Sequence, residues 1–300
     1  MSPSAENRHD SGSGRVPACV HPRFPLVPGI VGGLGPLAHV WFERRLLELT
    51  AERFGAGGDT DFPPWVVSSM PQTPNRQQAL LADGADPTPF LLESLQRVHR
   101  AGADFAAIAC NTAHAFLPGI ADQIPLPVVH VVCETVAWVA QQFPDVRRVG
   151  LLAAVGTARL RLFEQGFAAG GVAVVRPSDA DQDALVDTAI FGPLTDGQRA
   201  GGIKGGRLDA GDPSPRALLR RAAEGLIDRR GADLILAACS EVSLGLADGD
   251  VRVPVVDTMD VLGGAVLDLA SGQRPLESQA APADWPRVAT ARASRASRSG

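Results

Sequence analysis

One lysine, Lys204, is present in the whole 300-residue chain. A pyridoxal-phosphate enzyme needs a lysine amine for its Schiff base. The single candidate sits in Gly201-Gly202-Ile203-Lys204-Gly205-Gly206, a flexible setting for a cofactor anchor. The count disfavours pyridoxal phosphate, and no cofactor is expected. Cysteine is also scarce, with four residues: too few for a disulfide scaffold, and in keeping with a reducing compartment. They lack CxxC spacing and nearby histidine pairs, so no metal site is expected. No apolar run approaches the ~18 residues needed to span a membrane. Met1 to Arg15 is polar and has no signal-peptide core, so the expectation is a cytoplasmic protein without a membrane partner. A basic excess is missing too. The net charge of −5 leaves no footprint for nucleic acid.

What is present is a soluble composition, 45% hydrophobic and 20% charged, with chain enough for one or two domains. Within it one stretch occurs twice. Gly102-Ala103-Asp104 is followed, after four residues, by Ala109-Cys110-Asn111-Thr112. Gly231-Ala232-Asp233 is followed, at the same spacing, by Ala238-Cys239-Ser240-Glu241. A second matched element comes after each cysteine, Leu126-Pro127-Val128-Val129-His130 and then Val253-Pro254-Val255-Val256-Asp257. Self-similarity in fixed order means two related halves, each delivering one cysteine at the end of a buried strand.

Along the chain, residues 1 to 24 are rich in Ser, Gly and Pro and are expected to be disordered; Cys19 reads as a stray thiol. A strand at Val27 to Val31 runs into Gly32-Gly33-Leu34-Gly35-Pro36 and a helix from Leu37 to Arg53, the start of an α/β unit. The glycines admit either a tight turn or close approach of backbone N–H groups to an anion. A strand at Trp65 to Ser69 ends in the loop Pro71 to Arg76, on the sheet edge where open α/β folds bind ligands. Arg76 is either a bidentate carboxylate partner or a solvated surface arginine.

A helix at Pro89 to Ala101 leads to the strand Phe105 to Ala109 and Cys110. Asn111, Thr112 and His114 then open a helix whose dipole favours a thiolate. Packing remains the alternative for a lone cysteine. A strand is expected at Val128 to Val132 and a helix at Thr135 to Gln142, with Cys133 and His130 read as structural. The second half then runs as strand 148–153, a helix through 160–168, strand 172–175, helix 181–191, a Gly- and Asp-rich loop over 194–215, helix 217–230, strand 234–238 and helix 260–270. The long loop reads as a lid or a disordered segment. The tail from Ser271 onward is expected to be disordered, with Arg292, Arg295 and Arg298 as solvated charges.

Two repeat-related cysteines suggest proton transfer at one carbon. One thiolate removes a proton from one face, and the opposite thiol donates to the other. The Cα–H of an amino acid is a weak acid, so the site must stabilise charge passing onto the carboxylate. Asn111, Thr112, Ser240 and backbone donors could do so. Thiols suit the work because their pKa, about 8.5 when unperturbed, can be drawn toward neutrality.

The chain resembles the cofactor-independent aspartate/glutamate racemase superfamily, and most of all its aspartate racemase branch. The residues that carry the resemblance are Gly32 to Ala38, Pro74-Asn75-Arg76, Cys110-Asn111-Thr112-Ala113-His114, Cys239-Ser240-Glu241-Val242 and Pro254 to Asp257 with Met259-Asp260-Val261. The resemblance spans roughly residues 27 to 270. It implies an α/β fold of two similar, pseudo-symmetric domains, each a mainly parallel sheet flanked by helices, with the active site in the cleft between them. The expected division is 25–130 plus 255–270 for the first domain and 131–254 for the second. Cys110 and Cys239 become the acid/base residues, and Arg76 and Lys204 hold carboxylates. Asn75, Asn111, Thr112, Ser240, Glu241 and Gly35 complete the expected substrate site. A small-molecule substrate and a homodimer are further implications.

The chain departs from the family pattern at several positions. Asn75 replaces the aspartate that usually precedes the arginine, and Gln77 the threonine that usually follows it. His39 stands for another threonine, and Ala154 or Val155 for a fourth position's threonine. The leading expectation is a racemase of an acidic, aspartate-like amino acid. A dicarboxylate isomerase or decarboxylase on the same scaffold is the alternative, and a ligand-binding protein that kept the cleft is a third reading.

Overall fold

Pro28–Gly32 (β1) is buried at every residue, which an apolar run achieves when helices cover both faces of a parallel sheet. The computed structural model describes residues 21–81, 84–209 and 213–286. After β1 come α1 (Pro36–Phe54), β2 (Val66–Ser69), α2 (Arg76–Leu81), α3 (Thr88–Arg100), β3 (Phe105–Ile108), a 3₁₀ segment (Asn111–Gly119), β4 (Val128–Val129) and α4 (Val131–Gln142). The second half contains β5 (Arg148–Leu152), α5 (Val155–Leu160), α6 (Glu164–Ala169), β6 (Ala173–Val175) and α7 (Asp179–Asp181). A π-helical stretch (Gln182–Asp187) joins α7 to α8 (Thr188–Phe191). Then follow a hairpin of β7 (Leu194–Thr195) and β8 (Gln198–Arg199), α9 (Pro215–Arg230), β9 (Leu234–Ala237), α10 (Ser240–Gly245), β10 (Val255–Asp257) and α11 (Thr258–Ala270).

The two halves repeat one topology. The first sheet runs β2-β1-β3-β4 and the second β6-β5-β9-β10, every neighbouring pair parallel. The repeated Gly-Ala-Asp has a structural task in both. Asp104 Oδ2 accepts from the Val27 N–H at 2.7 Å. Asp233 Oδ2 accepts from the N–H groups of Arg147 and Arg148 at 3.0 and 2.9 Å. Each aspartate thus ties the start of its cysteine-bearing strand to the start of the neighbouring strand. The first glycine of each repeat, Gly102 (φ 94) and Gly231 (φ 65), takes a left-handed backbone after a helix, which a side chain would oppose.

The halves share a core. One apolar cluster joins Phe42 and Leu46 of α1, Val149 and Leu151 of β5, and Leu262 and Val266 of α11. Separate clusters fill the outer faces, under α3 in the first half and α9 in the second.

Several expectations are corrected. Val255–Asp257 pairs with β9 in the second sheet, so 255–270 does not belong wholly to the first domain. The helix that follows, α11, packs on both α1 and α4. The strand expected over 128–132 stops at Val129, and α4 begins at Val131 with Cys133 in its first turn. A short apolar run fits a buried strand or a buried helix equally well. The 194–215 loop contains the β7–β8 hairpin, turned through Asp196 (φ 51) and Gly197 (φ 77), and a 3₁₀ turn at Ile203–Gly205.

Neither expected disordered end is unstructured where it is described. Phe24 is fully buried, and His21 Nε2 lies 2.7 Å from the Thr60 carbonyl. In the tail, Arg274 pairs with Glu134 at 2.8 Å, and Trp285, 4% exposed, stacks 5.3 Å from the His130 ring. Burying an indole outweighs the ordering of a few polar residues. The remainder of both expected segments, with Cys19, Arg292, Arg295 and Arg298, lies outside the described residues. Among the described residues, no helix is long and apolar enough to cross a membrane.

Candidate active site

The two cysteines occupy equivalent places. β3 is buried throughout, Ala109 N–H continues the ladder onto Val31 O at 3.1 Å, and Cys110 (φ −162, ψ 112) caps the following 3₁₀ segment. β9 is likewise buried, Ala238 N–H reaches Leu152 O at 2.8 Å, and Cys239 (φ −147, ψ 133) caps α10. Strand ends and helix starts aim both side chains into one crevice at the carboxyl edges of the two sheets. Cys110 and Cys239 are 8% and 7% exposed and line the same pocket. Its free volume is about 20 Å³, room for a water but far less than a ligand pocket. The cleft is narrow, with Lys204, its side chain 30% exposed, on the side that meets solvent.

A carboxylate bridges its second-half wall. Glu241 Oε1 accepts from Lys204 Nζ at 2.8 Å, and Oε2 accepts from the Cys239 thiol at 3.1 Å and from Ser240 Oγ at 3.4 Å. Lys204 Nζ also donates to the Leu34 carbonyl in the first half at 3.3 Å. Burial pushes the Cys239 thiol well up, the Glu241 charge pushes it further, and Lys204 opposes both, so Cys239 is protonated. Burial works against the charge on Glu241, but Lys204 and the thiol hydrogen bond outweigh it and hold the carboxyl below its ordinary range. Burial also works against the charge on Lys204, and the Glu241 carboxylate reverses the sign. Gly35 leaves the space for this pair. A Cβ there would lie 2.5 Å from Glu241 Oε1 and 3.3 Å from Lys204 Nζ.

The first-half wall is made by the segment after β2. Arg76 is 8% exposed, so the solvated alternative is excluded. Its Nη1 donates to Thr73 O and Pro74 O at 3.3 and 3.1 Å, and Nη2 to Leu34 O. Nε has no partner among the described residues and remains a buried donor. Asn75 lines the pocket, but its Oδ1 caps α2, accepting from the N–H groups of Gln77 and Gln78 at 2.8 and 3.3 Å. Asn111 Nδ2 donates to Thr258 Oγ1 at 3.0 Å, while its buried Oδ1 has no partner among the described residues. Thr112 Oγ1 lies 2.8 Å from Thr157 Oγ1. All ten residues singled out from the sequence therefore line the pocket or abut it.

Three of the residues that bridge the halves escaped the sequence reading. Gln77, noted only as a departure, reaches Thr112 and Gly156, and Thr157 and Thr258 complete the crossing. The signal available was positional. Gly156-Thr157 follows β5 as Gly35-Pro36 follows β1, and Thr258 follows the matched Val-Pro-Val-Val-Asp. Cys133 stands apart on α4, where burial raises its thiol to about 11. Among the described residues no cluster of three or more His, Cys, Asp or Glu could hold a metal ion.

Comparison with known proteins adds a family. A family model described as Asp/Glu/Hydantoin racemase matches residues 31–265. The "Broad specificity amino-acid racemase RacX" of Bacillus subtilis (strain 168) is 22% identical over 231 residues, covering 77% of this chain and 92% of its own. Among solved structures, the Picrophilus torridus aspartate racemase is similar with a TM-score of 0.66 at 20% identity, covering 82% of this chain and 94% of its own. The glutamate racemase RacE1 of Bacillus anthracis is similar with a TM-score of 0.56 at 12% identity, covering 85% and 84%. At these identities the solved structures speak to the fold.

Proposed function

The chain belongs to the Asp/Glu/hydantoin racemase family, and on that premise we propose that it racemises or epimerises an acidic, aspartate-like amino acid by two-cysteine proton transfer without a cofactor. The observation that carries the proposal is the delivery of Cys110 and Cys239, from equivalent strand ends, to one narrow pocket. One thiolate takes the Cα proton, and the thiol on the opposite face returns a proton to the same carbon. Electrons left on Cα pass into the carboxylate until the new C–H bond forms. The protonation of Cys239 supports it as donor in one direction, with Cys110 as base; the reverse direction exchanges the roles. Lys204 and Arg76 Nε, which has no partner among the described residues, supply positive charge and a donor for carboxylates, and such preorganised groups stabilise the developing charge. Exclusion of water when a substrate fills the pocket would strengthen these interactions.

The free volume also requires the pocket to widen before a substrate enters. Lys204 and Leu34 come from opposite halves, so this contact opens when the halves part. The homodimer implied by the family is part of the same proposal, to be checked by light scattering.

Proton NMR in D2O, with no added cofactor, tests the function. Loss of the Cα–H signal of aspartate or a related amino acid, with its enantiomer appearing, is expected for the wild type. Cys110→Ser and Cys239→Ser should each abolish net inversion. One observation favours a second reading: Asn75 caps α2 and offers no carboxylate to a substrate ammonium. If no amino acid exchanges while the protein is folded and reduced, the result favours the dicarboxylate isomerase or decarboxylase reading, and maleate and substituted malonates form the next panel.

A further inference from the structure

We propose that Gln77 sets the chain length that the cleft accepts, selecting short diacids over longer ones; this rests on reading the pocket as the substrate site. Gln77 follows Arg76 in the first turn of α2. Its backbone is anchored at the helix start, where Asn75 Oδ1 accepts from the Gln77 N–H at 2.8 Å. From there the side chain crosses the cleft. Nε2 donates to Thr112 Oγ1 at 3.2 Å in the first half, and Oε1 accepts from the Gly156 N–H in the second. Thr112 is itself paired across the cleft with Thr157.

The carboxamide is a wall of the pocket and not a flexible fringe. Both of its polar ends are engaged, and each is held by a group from a different half. Gly156 has no side chain to intervene, and a Cβ there would collide with Gln77 Oε1. Gln77 therefore rests directly on the second-half backbone, in a pocket with about 20 Å³ free. This half-buried amide cannot retreat without breaking both contacts, and with them a hydrogen bond that joins the halves. When the halves part and close again over a ligand, re-forming this bridge requires a ligand that ends short of it. A longer chain must displace the amide.

Length discrimination of this kind changes affinity by tenfold or more per methylene. Removing the amide should relax it in proportion to what is removed. Gln77→Asn keeps the amide but is one methylene too short to hold both partners, and Gln77→Ala removes the wall.

The test reads binding, so it stands apart from turnover. Succinate and glutarate are titrated calorimetrically into the wild-type chain, Q77N and Q77A. The wild type should favour succinate. The ratio of glutarate to succinate dissociation constants should fall in the order wild type, Q77N, Q77A, by about tenfold overall. A merely structural role would weaken both ligands together and lower the melting temperature without moving the ratio. An unchanged ratio overturns the proposal, as does failure of every form to bind either diacid. If Q77A does not fold, Q77N decides. Absence of Cα–H exchange by the wild type would overturn racemisation but leave the ratio as a valid measure of Gln77.

Discussion

Glu241 joins Lys204 to Cys239 through one carboxylate, an oxygen for each: 2.8 Å to the ammonium and 3.1 Å to the thiol. The ionised carboxylate thus couples the charge of the lysine to the protonation of the thiol. Any ligand carboxylate that draws Lys204 away leaves Glu241 facing Cys239 alone and holds the thiol more firmly protonated.

The first expected outcome follows from that relationship. Burial is the main cause raising the Cys239 pKa and Glu241 is the next. Glu241→Gln removes the negative charge and keeps the shape, so the Cys239 thiolate should appear at lower pH than in the wild type. Lys204→Met should move it the other way. Thiolate absorbance followed against pH, taken as the difference from the matching Cys239→Ser background, reads this directly. A midpoint unmoved by E241Q would show that burial alone sets it.

Gly35 is required by side-chain space and not by backbone shape, since its φ is −161. Gly35→Ala should therefore keep its backbone and fold, with crowding of the packed site costing about 1–3 kcal/mol. The added methyl meets Glu241 Oε1 and Lys204 Nζ and should force the pair apart. Turnover is expected to fall on the order of tenfold, the loss of about 1.4 kcal/mol of transition-state stabilisation. Steady-state kinetics beside a thermal melt separates the two effects.

How much of this was legible beforehand depended on range along the chain. The repeat placed Cys110 and Cys239 at matched strand ends because each unit, from Gly102 or Gly231 to its cysteine, is local and periodic. Local pattern did not separate Arg76 from a surface arginine, and only the family resemblance pointed to it, because its partner Leu34 O comes from the turn after β1. The Gln77 bridge to Gly156 depends on how the halves are set against each other, which no local pattern encodes. The tail was misread for the same reason. A Pro- and Ala-rich stretch looks unstructured until Trp285 meets His130, a residue buried by other elements.

Asp257 gives an outcome in pH. It caps α11 by accepting from the Met259 N–H at 2.7 Å and lies 2.5 Å from Ser243 Oγ. Burial, then Asp260, raises its carboxyl from 3.8 to about 7. Between these values the unfolded chain has lost the proton and the folded chain keeps it, so stability falls as pH rises from about 4 to 7. Asp257→Asn can accept the same two hydrogen bonds without titrating. Urea denaturation across that window should show the decline flattened in D257N, and an equal slope in both proteins would refute the shifted carboxyl.

His114 and His130 give the opposite slope. Their rings meet edge to face at 4.7 Å, and both are buried. Burial lowers His114 to about 4, against its hydrogen bond with Cys110 O. Burial, with His114 next, carries His130 well below 6.5. The unfolded chain protonates these rings near 6.5, while the folded chain resists until the pH is far lower, so their contribution to stability is lost as pH falls from about 6.5 toward 4. Neither His130 nitrogen has a partner among the described residues. His130→Phe therefore keeps the ring contacts with His114 and Trp285 and gives up no hydrogen bond. The variant should match or exceed wild-type stability near pH 7 and lose less of it on acidification. Urea midpoints at pH 7, 6 and 5 measure this, and a wild-type acid slope retained in H130F would show that His130 is charged or hydrogen-bonded in the folded chain.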